Sequence, residues 1–123
     1  MIHLDTSILV RFFTNDDKAK ARKVKKLLES NNELHIADVV FPELEYVLTR
    51  VYKAPRNQII DAFTFLISCS NIVVDSHVFS AIALYKITNL DMADCLIGVQ
   101  SYNQKLASFD DKLLKAKGIV GYW

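Results

Sequence analysis

The stretch Asn89-Leu-Asp-Met-Ala-Asp-Cys-Leu-Ile-Gly-Val-Gln-Ser-Tyr-Asn103 predicts an amphipathic helix that carries acids on its polar side. At about 100° per residue, one broad arc of this helix is apolar. That arc consists of Met92, Ala93, Cys95, Leu96, Ile97 and Val99. Asp91, Asp94, Gly98 and Ser101 share the opposite arc. Because Gly98 has no side chain and lies one turn above Asp94, we expect open space over that carboxylate.

The acids of this stretch allow two interpretations. A second acidic stretch, Leu106-Ala-Ser-Phe-Asp110-Asp111, follows soon after it. Acids therefore stand at a predicted helix start and at a predicted strand end, where a metal-dependent site would need them. Alternatively, Asp91 is only an N-cap, and Asp94 three residues later completes an acidic variant of the capping box.

Length and composition predict one domain over residues 1–123. The chain has 123 residues, of which 51% are apolar, and only three glycines and two prolines, so extensive disorder is not expected. The net charge of +1 neither requires nor excludes a nucleic-acid partner. Cys69 and Cys95 lie in apolar helical patterns and are interpreted as buried thiols of a reducing compartment. With no signal-peptide or membrane-spanning pattern, we expect a cytoplasmic protein.

Short apolar runs alternate with amphipathic segments along the chain. Strands are predicted at residues 1–4, 33–37, 71–74, 106–109 and from 119. Helices are predicted at residues 8–13, 18–30, 38–52, 56–68, 77–88, 89–103 and 111–116. The first of these helices is expected to be capped by Thr6 or Ser7. This order predicts an α/β fold with a mainly parallel sheet of about four to five strands, covered by helices on both faces.

Glu43 is predicted to lie beside the buried face of the helix at residues 38–52. The apolar stripe of that helix consists of Val40, Leu44, Val47, Leu48 and Val51. Glu43 falls roughly 40° from Val47 on the helical wheel, whereas Glu45 falls on the far side. We therefore expect Glu43 to be partly buried and to need a partner, and Glu45 to face water.

Four acids thus stand at meaningful places, and their surroundings resemble those of a known family. Asp5 follows the first strand, Glu43 lies on a helix, Asp94 is in the first turn of a helix, and Asp110 follows a strand. The matching pieces are Ile2-His-Leu-Asp-Thr-Ser-Ile-Leu-Val-Arg11, Ala37-Asp-Val-Val-Phe-Pro-Glu-Leu-Glu-Tyr-Val-Leu48, Leu90-Asp-Met-Ala-Asp-Cys-Leu-Ile97 and Leu106-Ala-Ser-Phe-Asp110. Together they resemble PIN-domain ribonucleases, most closely the VapC-like toxins of toxin–antitoxin pairs.

The resemblance implies a set of site residues. The four acidic positions of the family carry over to Asp5, Glu43, Asp94 and Asp110, as catalytic residues and metal ligands. Supporting positions carry over to Thr6 or Ser7, to Ser108, where the family commonly has threonine, and to Asp91, which we interpret as a helix cap. The resemblance also implies hydrolysis of RNA that leaves a 5′-phosphate and a 3′-hydroxyl, a homodimer, and a small antitoxin partner.

Carboxylates in such a set require cations. Two carboxylates about 4 Å apart repel by about 4 kcal/mol at an effective dielectric of about 20. Oxygen ligands favour Mg²⁺ or Mn²⁺ over zinc. His3, His35 and His77 share no ligand spacing, which argues against a zinc site.

Contacts with RNA are less clearly indicated by the sequence. The basic residues between Lys18 and Lys26 are interpreted as a solvated helix face, although they could contact phosphates. Arg11 is either a phosphate contact or part of a structural ion pair. Eight aromatic residues, most of them at helical core spacing, are interpreted as core or dimer surface, and not as a platform on which bases stack: Phe12, Phe13, Phe41, Tyr46, Phe63, Phe65, Phe79 and Tyr85.

Three other functions would also place acids after strands or at helix starts. A haloacid-dehalogenase-type phosphatase would use Asp5, but it requires a second aspartate two residues later, where this chain has Ser7. A response-regulator receiver requires an acid pair that is not evident. A non-enzymatic PIN-like binding module would use the acids only as helix caps. This module and a phosphatase-type α/β hydrolase that uses Asp5 stay open as the alternatives.

Overall fold

The computed structural model describes residues 1–123 and has an α/β fold with a small parallel sheet and seven helices. The predicted fold class is confirmed. Two compact units divide the chain, residues 1–75 and residues 76–123. None of the seven helices combines the length and the apolar character that crossing a membrane would require.

The first unit contains the sheet and four helices. Its elements are β1 (Ile2–His3), α1 (Thr6–Thr14), α2 (Lys18–Leu28), β2 (Leu34–His35), α3 (Val40–Arg50), α4 (Arg56–Ser68) and β3 (Ile72–Val73). The strands pair in parallel in the order β1-β2-β3, with Ile2 opposite Leu34 and Leu34 opposite Ile72. Helices connect the strands, because parallel neighbours cannot be joined by a tight turn.

The core of the first unit lies between the sheet and its helices. Leu9, Leu34, Ile36, Phe41 and Phe63 are fully buried. The rings of Phe41 on α3 and Phe63 on α4 meet edge to face, with centroids 5.4 Å apart. Burying a side chain of this size contributes roughly 1.5–3 kcal/mol.

Aspartates start the first two helices. Asp5 is the N-cap of α1, so the prediction that Thr6 or Ser7 caps this helix is wrong by one or two residues. Asp17 caps α2 by accepting a hydrogen bond from the Lys20 amide. In both cases a carboxylate oxygen satisfies a main-chain N–H group that the first turn leaves unpaired.

The buried face of α3 is rotated relative to the prediction. Its buried residues are Val40, Phe41, Leu44 and Leu48, whereas Val51 is 64% exposed. The buried stripe therefore turns by roughly 40° toward Phe41 and away from Glu43. Glu43 is exposed and Glu45 is half-buried, the reverse of what the sequence predicts.

The second unit contains three helices and no strand of the sheet. They are α5 (Ser76–Ile87), α6 (Met92–Gln100) and α7 (Asp111–Leu114). The strands predicted at residues 106–109 and from 119 reduce to a single parallel bridge between Leu106 and Gly121. The sheet therefore has three strands where about four to five were predicted.

The polar arc predicted for α6 is not open at Gly98. A Cβ atom built on Gly98 would lie 3.1 Å from Ile119 Cδ1 and 3.5 Å from Leu113 Cδ1, so apolar side chains fill that space. The expectation of open space above Asp94 is wrong, because Gly98 is a close-packing position of the core. Ala93 and Ile97, predicted to be on the buried arc, are exposed, and Ile97 is 48% accessible.

Candidate acidic site

Asp5 lies where β1 has ended and α1 begins, and two groups of Ser7 hold its carboxylate. The Ser7 hydroxyl donates to Asp5 Oδ2 at 2.7 Å, and the Ser7 amide donates to the same oxygen at 3.4 Å. The hydrogen bond from the Ser7 side chain is the main reason that the pKa of Asp5 is lowered. Asp5 is therefore an exposed, fixed anion at neutral pH.

Glu43 is held by the residue next to Asp5. The Thr6 hydroxyl donates to Glu43 Oε2 at 3.0 Å, across 37 positions of the chain. Thr6 is buried, with only 7% of its surface exposed. Because a buried hydroxyl without a partner is costly, this contact fixes both the threonine rotamer and the direction of the carboxylate.

One cavity of about 400 Å³ collects these residues within the first unit. It is lined by Asp5, Thr6, Ser7, Val10, Arg11, Glu43, Val47 and Tyr52. Every predicted site residue from the first half of the chain lines this cavity. The structure thus brings together two carboxylates, three hydroxyl groups and one guanidinium group.

Arg11 forms an ion pair at this cavity. Its Nη1 atom lies 3.0 Å from Asp16 Oδ1, and the Tyr52 hydroxyl donates to Asp16 Oδ2 at 2.7 Å. The hydrogen bonds from Tyr52 and then from Arg11 lower the pKa of Asp16 to about 2. Of the two predicted roles of Arg11, the structure shows the ion pair, with a side chain that is still 39% exposed.

The predicted acids of the second unit lie at helix starts. Asp91 is the N-cap of α6, where it accepts a hydrogen bond from the Asp94 amide at 2.8 Å, so the predicted cap is present. Asp94 is half-buried in the first turn. Asp110 caps α7 through the Leu113 amide at 3.1 Å, and its own amide donates to Ser108 Oγ at 3.0 Å.

The sheet also brings together side chains that sequence reasoning kept apart. His3 and His35 lie in neighbouring strands, and their Nδ1 atoms are 3.2 Å apart. Asp38 and Asp75 follow β2 and β3, and their carboxylate oxygens come within 4.8 Å of one another. The available signal was their position: in a parallel sheet, side chains that follow successive strands meet at one edge.

A larger cavity of the first unit has different chemistry. It measures about 530 Å³ and is lined mainly by apolar and aromatic groups, including Phe12, Phe13 and Phe65. Asp61 is its one carboxylate. It therefore lacks the paired acids that distinguish the smaller cavity.

Comparison with known proteins agrees with the predicted resemblance. The family model of the PIN domain matches residues 2–119, nearly the whole chain. No curated protein and no solved structure matches this chain. PIN domains are typically nucleases, which act as hydrolases. The chain belongs to the PIN domain family.

Proposed function

We propose that residues 1–123 act as one PIN-like nuclease domain, a metal-dependent endoribonuclease. The reaction is hydrolysis of RNA phosphodiester bonds, leaving a 5′-phosphate and a 3′-hydroxyl. Membership of the PIN family supports nuclease chemistry in general. The choice of RNA as substrate rests on the resemblance of the four acidic sequence pieces to PIN-domain ribonucleases.

The observation that carries this proposal is the pair of held carboxylates in the smaller cavity. Asp5 and Glu43 line one cavity. The Ser7 hydroxyl donates a hydrogen bond to Asp5, and the Thr6 hydroxyl donates one to Glu43. The hydrogen bond from Thr6 satisfies a buried hydroxyl and also fixes the direction of the Glu43 carboxylate. Preorganised carboxylates are what a cation site requires, because orienting them beforehand reduces the cost of binding.

The donor set fits a hard divalent cation. Carboxylate and hydroxyl oxygens line the cavity, and neither histidine nor cysteine does. Such a set favours Mg²⁺ or Mn²⁺. We propose Asp5, Glu43, Asp94 and Asp110 as the ligands of this cation. When bound, the cation would activate a water molecule and neutralise charge at the scissile phosphate.

The remaining residues act on the ligands and on the substrate. Thr6 and Ser7 hold the carboxylates of Glu43 and Asp5. Ser108 accepts from the amide of Asp110 and so fixes the backbone at that acid. Arg11 is proposed as a phosphate contact, made by the guanidinium N–H groups that Asp16 does not use.

The biological setting follows from the same resemblance. We propose that the protein is the toxin of a toxin–antitoxin pair, that it works in the cytoplasm as a homodimer, and that a small antitoxin protein restrains it. Expression in a bacterial host should then arrest growth. The Asp5→Asn variant, made to the same level, should not.

The test of the proposed activity is to sequence the RNA ends that appear on expression. New ends at defined positions, carrying a 5′-phosphate, are expected with the wild-type chain and not with Asp5→Asn. The purified chain should cut RNA only after Mg²⁺ or Mn²⁺ is added. Identical end profiles for the two proteins would overturn the proposal.

One observation favours the alternative of a non-enzymatic binding module. Asp5, Asp91 and Asp110 all cap helices, a structural duty that needs no metal. In that case Asp5→Asn and Asp94→Asn would leave activity unaffected and raise stability by relieving repulsion between carboxylates, and asparagine at position 5 would still cap α1. A thermal shift with Mn²⁺ separates the two functions. Metal at about 100 times its Kd adds about 2.7 kcal/mol to a protein that binds it, and Asp94→Asn should lose that gain.

A further inference from the structure

Three aromatic side chains of the second unit are stacked in solvent. Phe109 is 89% exposed, Trp123 is 75% exposed and Tyr122 is 61% exposed. The rings of Phe109 and Trp123 are nearly parallel, with centroids 4.9 Å apart and an interplanar angle of 13°. Tyr122 meets Trp123 edge to face at 5.5 Å. We call Phe109, Tyr122 and Trp123 the aromatic cluster.

Main-chain pairing fixes the position of the cluster. The Leu106 amide donates to the Val120 carbonyl at 2.8 Å, and the Tyr122 amide donates to the Leu106 carbonyl at 2.9 Å. Two extended segments therefore run side by side in parallel, joined at the Leu106–Gly121 bridge. Phe109 and Trp123 each follow this bridge closely, so their rings meet.

The cluster is unusual for an exposed surface. Single exposed apolar residues are normal, but a contiguous aromatic group indicates a binding surface. Trp123 covers one face of the Phe109 ring. Because Phe109 is almost fully accessible, the other face of its ring is open. An open π face above an existing stack is suited to a further planar ring.

The sequence position of Phe109 and the charge of the surrounding sequence indicate which kind of planar ring would stack on it. Phe109 directly precedes Asp110, one of the proposed metal ligands. Residues 105–123 also carry four exposed lysines, Lys105, Lys112, Lys115 and Lys117, against two aspartates, Asp110 and Asp111. These lysines are close to the cluster in sequence, and Lys112 also donates to the Asn89 carbonyl at 2.6 Å. Exposed cations together with a stacking surface are the combination that binds the phosphates of a single strand while its bases stack.

We propose that the aromatic cluster is a base-stacking platform for single-stranded RNA, with Phe109 as the ring that receives a base next to Asp110. This inference rests on the proposed function, since it names how the substrate is bound beside the site.

The single tryptophan of the chain provides a direct measurement. The full chain is titrated in EDTA, so that RNA is bound and not cut, with a single-stranded uridine oligonucleotide and with an abasic oligonucleotide of the same ribose-phosphate length. Stacking should quench the fluorescence of Trp123. The variants are Phe109→Leu, which keeps apolar bulk and loses the π face, and Phe109→Tyr, which keeps the π face. Phe79→Leu, an exposed phenylalanine of α5, is the matched control.

The expected result is a selective loss. Phe109→Leu should bind the uridine oligonucleotide roughly 5- to 100-fold more weakly, whereas Phe109→Tyr and Phe79→Leu should bind like the wild type. The dependence of affinity on salt should keep its slope, because no phosphate contact is removed. The abasic oligonucleotide should bind the wild type and Phe109→Leu equally.

Other outcomes overturn the platform. Equal binding of the uridine oligonucleotide by wild type and Phe109→Leu would do so, as would an equal loss with the abasic oligonucleotide. A change in oligomeric state with unchanged RNA affinity would assign the cluster to a protein surface instead. Cleavage by the wild type in Mg²⁺ is measured separately: if RNA is cut while Phe109→Leu binds normally, only the platform fails, and if RNA is never cut, the proposed activity fails.

Discussion

The two units of the chain hold their acids in different ways. In the first unit, side-chain hydroxyls hold the two acids of the cavity: Thr6 donates to Glu43 at 3.0 Å and Ser7 to Asp5 at 2.7 Å, and Asp5 also caps α1 through the Ser7 amide at 3.4 Å. In the second unit, main-chain amides hold the acids, with Asp91 and Asp110 as N-caps. We call the hydrogen bonds from Thr6 to Glu43 and from Ser7 to Asp5 the hydroxyl clamp. The bond from Thr6, 37 positions away along the chain, orients the Glu43 carboxylate, whereas a cap stabilises the helix that follows. Substitutions of Glu43 or Thr6 should therefore act mainly on activity, whereas substitution of the cap Asp91 should act mainly on stability.

The largest effect is expected for the clamped acids themselves. Asp5→Asn and Glu43→Gln keep size and polarity but remove a charge from the proposed cation site. We expect RNA cleavage to fall by a factor on the order of 100 or more, by analogy with the loss of a preorganised electrostatic contact. Initial cleavage rates at saturating Mg²⁺ measure this, with melting temperature as the check on folding.

Glu33→Gln is the matched control for these variants. Glu33 is an exposed acid of the same unit that does not line the cavity. It should cleave RNA like the wild type. If Glu33→Gln and Glu43→Gln lost activity equally, net charge would be the cause and the clamp would have no special role.

The clamp can also be broken without touching an acid. Thr6→Val keeps the shape of the buried side chain and removes the hydroxyl that reaches Glu43. We expect Mn²⁺ affinity to fall by roughly 10- to 100-fold, the usual cost of losing a residue that orients a ligand. Calorimetric titration with Mn²⁺ gives the affinity, and Thr6→Ser, which restores the donor, should recover most of it.

A smaller effect, on stability, is expected at the cap of α6. Asp91→Ala removes the acceptor for the Asp94 amide and should lower the free energy of unfolding by about 1 kcal/mol. Asp91→Asn should restore it, because asparagine also accepts this hydrogen bond. Chemical denaturation measures both. A loss of RNA cleavage in Asp91→Asn at normal stability would contradict the assignment of Asp91 as a cap alone.

The smallest effect is a pH dependence at Asp16. Its pKa is about 2 in the folded chain, below its ordinary value of 3.8. The contacts with Tyr52 and Arg11 therefore stabilise the fold at pH values above 3.8, and this contribution is lost as the pH falls toward 2. Asp16→Asn should melt at a lower temperature than the wild type at neutral pH. The difference should shrink on acidification, and a constant difference would mean that the charge of Asp16 is irrelevant.

The sequence predicted the elements better than the faces they present. The bounds of α4 match the prediction because Pro55 sits at its start and the apolar pattern ends near Cys69. The reversal of Glu43 and Glu45 has the opposite cause. Periodicity defines a buried arc only approximately, and the contact between Phe41 and Phe63 turned α3 toward that side.

In the candidate site, too, local features were predicted from the sequence and long-range contacts were not. That Asp5 follows a strand and that Asp94 lies in the first turn of a helix are local facts, and local patterns predicted them. The hydrogen bond between Thr6 and Glu43 spans 37 positions, so no short motif could reveal it. Gly98 was misinterpreted for a related reason: its neighbours Leu113 and Ile119 lie beyond the end of its own helix.

The tripeptide Asp5-Thr6-Ser7 has a consequence for how the length of this chain can change. Only Leu4 separates β1 from Asp5, the cap of α1, so the strand fixes the rotation of α1 about its own axis. Inserting one residue after Leu4 would rotate α1 by about 100° and swing the threonine hydroxyl away from the glutamate.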